Sequence, residues 1–172
     1  RGSNLKSIVK YSKKKNSIFK VILVISNNPD AYGLKYAAKF KIKNYGIKFK
    51  SRTNFENHSL QFLEKYKIDM ICLAGFMKIL SEKFIKKFAK PILNIHPSLL
   101  PKYKGLNTHE RALKNKDKFA GATIHHVTQK LDSGKIILQK KVKILKSDGV
   151  IDLRKKVLKI EHEIYPKAID KF

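Results

Sequence analysis

The 172-residue sequence has one cysteine, no tryptophan, eight glycines and five prolines. A lone Cys72 excludes any disulfide within the chain and fits a reducing compartment, so the chain reads as cytosolic. No apolar stretch approaches the roughly 20 residues that a membrane-spanning helix requires, and no membrane partner is expected. The opening Arg1-Gly2-Ser3-Asn4 also lacks the basic-then-apolar layout of a secretory leader. With no repeat, low-complexity tract or Pro/Gly-rich linker to divide it, the chain is expected to form one domain over residues 1–172.

Acidic residues are scarce as well, 13 against 39 basic ones, which leaves a formal net charge of +26. Such a balance ordinarily marks a binder of polyanions. Yet only Arg1, Arg52, Arg111 and Arg154 are arginines, and the 35 lysines are spread over nearly every segment. Arginine is the better fork for phosphates and base edges, and dispersed lysine builds no focused groove. The composition therefore points to a lysine-covered surface that attracts small anionic substrates, with no specific nucleic-acid partner. A non-catalytic basic module that binds RNA or DNA is the alternative from another class, and it demands a steep salt dependence.

What is present alternates between helical and strand spacing. Leu5, Ile8 and Val9 predict a capped helix after Gly2-Ser3-Asn4. A strand is expected over Phe19–Ser26, then a helix carrying Tyr32, Leu34, Tyr36, Ala37 and Ala38. A short extended piece at Ile47–Lys50 leads to a helix with Phe55, Leu60, Phe62, Leu63 and Tyr66. The apolar run Ile68–Gly75 has the look of a strand buried on both faces. A helix over Ser81–Phe88 precedes a strand at Ile92–His96, which Pro97 ends by removing a ladder donor. Two more strands, Ala120–Thr128 and Lys135–Lys143, are followed by a long helix capped by Asp148 with Val150, Leu153, Val157, Ile160 and Ile164 on one stripe. The alternation in the first half indicates βαβ units, hence an α/β fold with a doubly wound, mostly parallel sheet and helices on both faces.

Asn94 and His96 are two residues apart on a predicted strand, so both side chains leave the same face at its end. A carboxamide donor beside an imidazole suits an oxyanion developing on a carbonyl under attack. Spacing alone also fits a purely structural strand-end histidine. Asp132 joins the pair only if the loop Thr128-Gln129-Lys130-Leu131-Asp132-Ser133-Gly134 folds back over that strand end, where a carboxylate favours the protonated ring. Without such closure Asp132 is an ordinary turn residue. Gly2-Ser3-Asn4 at a helix start could cradle a phosphate or serve as a plain cap. His125 and His126 point to opposite faces of a strand, and no His, Cys or carboxylate set has metal spacing, so no metal is expected.

Three strings carry more information: NIHPSLLPKYKG (Asn94–Gly105), LAGFMKILS (Leu73–Ser81) and LDSGKIILQ (Leu131–Gln139). They resemble the phosphoribosylglycinamide formyltransferases, over nearly the whole chain. Within the wider formyltransferase superfamily, Leu106-Asn107-Thr108-His109-Glu110-Arg111-Ala112-Leu113 looks like the glycinamide branch. The resemblance implies transfer of a formyl group from 10-formyltetrahydrofolate, a consumed cosubstrate, to glycinamide ribonucleotide. It assigns His96 as proton donor and polariser, Asn94 as oxyanion partner and Asp132 as the group sustaining the charge on His96. It further implies folate contacts at Arg52, Met77, Lys78, Ile79, Leu80, Asn94 and the loop Thr128, Gln129, Lys130, Leu131 and Asp132. Gly2, Ser3 and Asn4 match the phosphate loop for the ribonucleotide, and Leu158, Lys159, Ile160 and Glu161 match the segment whose glutamate meets the glycinamide amino end.

Two positions depart from the family pattern: Lys78 stands where arginine is common and Ser133 where glycine is often found. Relatives also begin with a strand leading into the Gly-Ser-Asn loop and end with a closing strand. A longer parent protein is therefore expected, and without the first strand two central strand edges are expected to lack a partner. The assembly implied is a monomer or homodimer acting on small molecules. The nearest alternative is formyl transfer to methionyl-tRNA on the same fold, although enzymes acting on tRNA usually carry a further domain.

Overall fold

Short strands separated by helices build a first unit, Arg1–Ile92, and longer strands carrying a polar stripe build a second, Leu93–Phe172, in the computed structural model, which describes residues 2–172. In the first unit, helix α1 (Ser3–Tyr11) buries Ile8 and Val9. It follows Gly2, whose φ of 63° is left-handed, and no side chain caps it, so the expected capped start is a bare one. Strand β1 (Leu23–Ser26) runs parallel to β2 (Lys43–Gly46), with helix α2 (Tyr32–Lys39) between them in sequence. The strand expected from Phe19 keeps only its last four residues. The extended piece expected at Ile47–Lys50 lies four residues earlier, at Lys-Asn-Tyr-Gly, where pairing with β1 prevails over weak strand propensity.

Helix α3 (Arg52–Lys65) starts at Ser51, whose hydroxyl accepts the Asn54 N–H at 3.1 Å. Helix α4 (Glu82–Phe88) is capped likewise by Ser81, which also donates its hydroxyl to the buried Glu56 carboxylate. Between them, strand β3 was expected over Ile68–Gly75 and buried on both faces. It is three residues long, Ile71–Leu73, and only half-buried. The reason is a cavity of about 230 Å³ walled by Ile71, Cys72 and Leu73 on one side and by Leu23, Val24 and Ile25 of β1 on the other. The two strands belong to different sheets.

In the second unit, strand β5 (Phe119–His126) lies antiparallel to both β4 (Ile92–His96) and β6 (Ile136–Lys143). The sheets of this α/β chain are thus mixed, with the parallel pairing of β1 and β2 in the first half. Helix α6 (Val150–Ile169) packs on β5 and β6 and buries Leu153, Val157, Ile160 and Ile164, the expected stripe. Its cap is Gly149, whose N–H donates to Asp152 at 3.2 Å. Asp148, the expected cap, instead holds the Lys156 ammonium at 2.6 Å and the Leu145 N–H at 2.9 Å, and the lysine keeps its carboxyl below the usual carboxylate range. A short helix α5 (Thr108–Lys114) was not foreseen. Among the described residues no helix is long and apolar enough to cross a membrane.

Candidate active site

The pleat of β4 sends Asn94 and His96 to one face, and the antiparallel register with β5 decides what they meet. Asn94 lies opposite His125 and His96 opposite Thr123, so four polar side chains share that face. Leu93, Ile95 and Ile124 take the other face and are buried. Thr123 fixes the chain that leaves β4: its hydroxyl donates to the Ser98 carbonyl at 2.6 Å and accepts the Leu100 N–H at 3.1 Å and the Gln139 amide at 2.8 Å.

The loop after β5 does fold back. Gly134 packs so tightly that a Cβ there would lie 1.8 Å from the His126 carbonyl oxygen, a space only glycine tolerates. The His126 N–H donates to the Lys135 carbonyl at 3.0 Å and seals the loop base. Asp132 takes a left-handed φ of 46°, which turns its carboxylate inward. One oxygen, Oδ2, comes 3.3 Å from His96 Nδ1 and accepts the Gly105 N–H at 2.9 Å. The other, Oδ1, is 3.6 Å from His125 Nε2. His96, His125 and Asp132 are 5%, 2% and 8% exposed, so these contacts operate largely out of water.

Partners assign the ring protons. His96 Nε2 sits 2.8 Å from the Tyr103 backbone carbonyl, which can only accept, so Nε2 carries a hydrogen and Nδ1 is the nitrogen that faces the carboxylate. His125 Nδ1 donates to the His126 carbonyl at 2.9 Å. Burial pushes the His125 ring below the usual histidine range, outweighing Asp132, which acts the other way. Neutral His125 therefore offers a lone pair at Nε2, and the Asn94 amide donates to it at 3.3 Å. The result is a carboxamide held by one imidazole beside a second imidazole held by a carboxylate. An amide and a ring N–H side by side suit a developing oxyanion.

The structure thus brings together Asn94, His96 and Asp132. His125 completes the group and was missed as a participant. Its face on the strand was legible, but only the strand register shows that it looks at Asn94. Thr128, Gln129, Lys130 and Leu131 are exposed along the loop, and Ser133 accepts the Lys104 ammonium at 2.5 Å. On α6, Leu158 is half-buried, Lys159 exposed, and Ile160 and Glu161 buried. The other sequence candidates lie in the first unit. Arg52 opens α3 and is exposed, Met77, Lys78 and Ile79 form an exposed segment ending at buried Leu80, and Gly2, Ser3 and Asn4 are half-buried around the start of α1. Among the described residues no group of three or more His, Cys, Asp or Glu side chains is placed to hold a metal ion.

Comparison with known proteins agrees with this geometry. The profile of the formyl transferase family matches residues 1–169. The chain is 41% identical to phosphoribosylglycinamide formyltransferase of Escherichia coli, covering 99% of this chain and 82% of that protein. It is 40% identical to the human trifunctional purine biosynthetic protein adenosine-3, covering 98% of this chain and only 17% of that longer protein. Among solved structures, phosphoribosylglycinamide formyltransferase from Brucella melitensis superposes with a TM-score of 0.93 at 40% identity, over 99% of this chain and 90% of that one.

Proposed function

The chain belongs to the formyl transferase family, and from that premise we propose that it moves a formyl group from 10-formyltetrahydrofolate to the amino nitrogen of glycinamide ribonucleotide in purine synthesis. The observation that carries the reading is the contact of His96 Nδ1 with Asp132 at 3.3 Å, with Asn94 on the same strand face. The neutral substrate amine attacks the formyl carbon, and the tetrahedral oxyanion is met by the Asn94 amide and the His96 imidazolium. The amine gives up one proton and the departing folate nitrogen takes one, so His96 is unchanged over a turnover. Asp132 sets a carboxylate against the His96 ring, and Asn94 is oriented by His125.

The substrate contacts follow the family resemblance. Arg52, Met77, Lys78, Ile79, Leu80, Asn94 and the loop Thr128, Gln129, Lys130, Leu131 and Asp132 are assigned to the folate. The exposed apolar surface of Met77 and Ile79 supports this. Gly2, Ser3 and Asn4 are assigned to the ribonucleotide phosphate, which the uncapped first turn of α1 would attract. Leu158, Lys159, Ile160 and Glu161 are assigned to its glycinamide end. The chain is read as a single formyltransferase domain acting in the cytosol on small molecules, as a monomer or homodimer, with no specific nucleic-acid partner.

The test is formyl transfer by the purified protein to glycinamide ribonucleotide and, in parallel, to methionyl-tRNA. Transfer to the first acceptor is expected. Transfer to the tRNA alone, or salt-sensitive nucleic-acid binding with no transfer, overturns the reading.

A further inference from the structure

The His96 ring is held from two sides, and the second side lies outside the catalytic trio. Tyr103, whose carbonyl accepts the Nε2 hydrogen at 2.8 Å, has a left-handed φ of 56°, a conformation that a non-glycine residue adopts only when its surroundings impose it. The surroundings are visible. The Tyr103 hydroxyl donates to Asp117 Oδ2 at 2.8 Å and accepts from the Asn115 amide at 2.9 Å. The Arg111 guanidinium lies 4.9 Å from the centre of the Tyr103 ring and donates to the Lys104 carbonyl at 2.7 Å, one residue further on. Asp117 also binds the Lys102 ammonium at 3.0 Å, on the residue before Tyr103. The turn that carries the carbonyl is therefore clamped by Arg111 of α5, by Asn115 at its C-terminal end and by Asp117 in the connection to β5.

We propose that Asp117, acting through the Tyr103 hydroxyl, is a positioning residue for His96: it places the Tyr103 carbonyl so that one ring hydrogen stays on Nε2 and the proton exchanged in formyl transfer is the one on Nδ1. This deepens the proposed function and rests on it. Protonated His96 releases the Nδ1 hydrogen to the departing folate nitrogen and becomes the neutral Nε2–H tautomer. The proton lost by the attacking amine then restores the Nδ1–H bond, and no net proton is gained or lost. With the turn released, the ring is free to rotate or to carry its hydrogen on the wrong nitrogen. Substrate binding, which uses other groups, is left as it was.

Two readouts test this in the full chain: steady-state kinetics, and the nitrogen-15 and proton signals of the His96 ring. Asp117→Ala and Tyr103→Phe are each expected to lower kcat about tenfold with KM for both substrates within about twofold. In both, the Nε2–H signal of His96 is expected to shift or to exchange faster with water. Asp117→Asn keeps an acceptor for the hydroxyl and is expected to recover kcat to within about threefold of the parent. Lys140→Met, which removes an exposed ion pair with Glu163 outside that clamp, is expected to leave kcat within about twofold. If Asp117→Ala does not fold, Tyr103→Phe decides alone. Unchanged kcat per folded molecule, or an unmoved His96 signal, overturns the proposal. Because the ring signal is read without substrates, a moved signal in a protein that transfers no formyl group would overturn the function and leave the positioning standing.

Discussion

The two strand systems bury their inner faces in opposite ways. In the second unit β5 is paired on both sides, and Asn94, His96, Thr123 and His125 on the shared face each find a hydrogen-bond partner. In the first unit β1 and β3 are apolar, yet they wall a cavity of about 230 Å³ instead of touching. The contrast separates composition from packing. A buried polar face is rigid when its groups are satisfied, and an apolar face is loose when its volume is not filled.

The sharpest way to break the comparison is to unbalance the polar face. Asp132→Asn removes the charge that faces His96 and should lower turnover at neutral pH by roughly a thousandfold, with ribonucleotide binding by calorimetry little changed. Near-normal turnover would remove Asp132 from the mechanism. Next in size is a difference in opening: backbone amides of β5 should exchange with solvent about a hundredfold more slowly than those of β1 and β3. Equal protection in mass-spectrometric or NMR exchange would show that the cavity does not loosen its walls.

The smallest effect is in acid stability. Burial lowers the affinity of His125 for a proton in the folded chain, so on acidification the unfolded chain takes up that proton first. Its contribution to stability is therefore full above the ordinary histidine value of 6.5 and declines as pH falls below it, by at most about 1.4 kcal/mol per pH unit. Denaturant unfolding at pH 7 and 5.5 should show a smaller loss in His125→Gln than in the parent. An identical loss would assign the titration to another group.

Much of this is legible in the sequence. The α6 stripe, the strand at Ile92–His96 and the shared face of Asn94 and His96 follow from period alone. Strand β2 was misplaced by four residues because its pairing with β1, not its own composition, decides where it runs. The cap expected at Asp148 fails because the sequence does not show Lys156 reaching back eight residues to claim it. The role of Asp132 came from family resemblance, since a carboxylate 36 residues from His96 in sequence meets it only through a close approach at Gly134. His125 escaped notice for the same kind of reason: strand register is a property of two segments, and neither one spells it out.

Cys72, set in the cavity wall, has a consequence for redox behaviour. Burial pushes its thiol up to about 12, so near pH 7.5 roughly one molecule in 30,000 carries the reactive thiolate. The scarcity of thiolate slows the reaction of this sulfhydryl with peroxide and with disulfides. Oxidative damage falls instead on Met77, 76% exposed in the segment assigned to the folate, where a sulfoxide would set a polar group on an apolar surface. Inactivation by peroxide should then be reversible by methionine sulfoxide reductase and indifferent to thiol reductants.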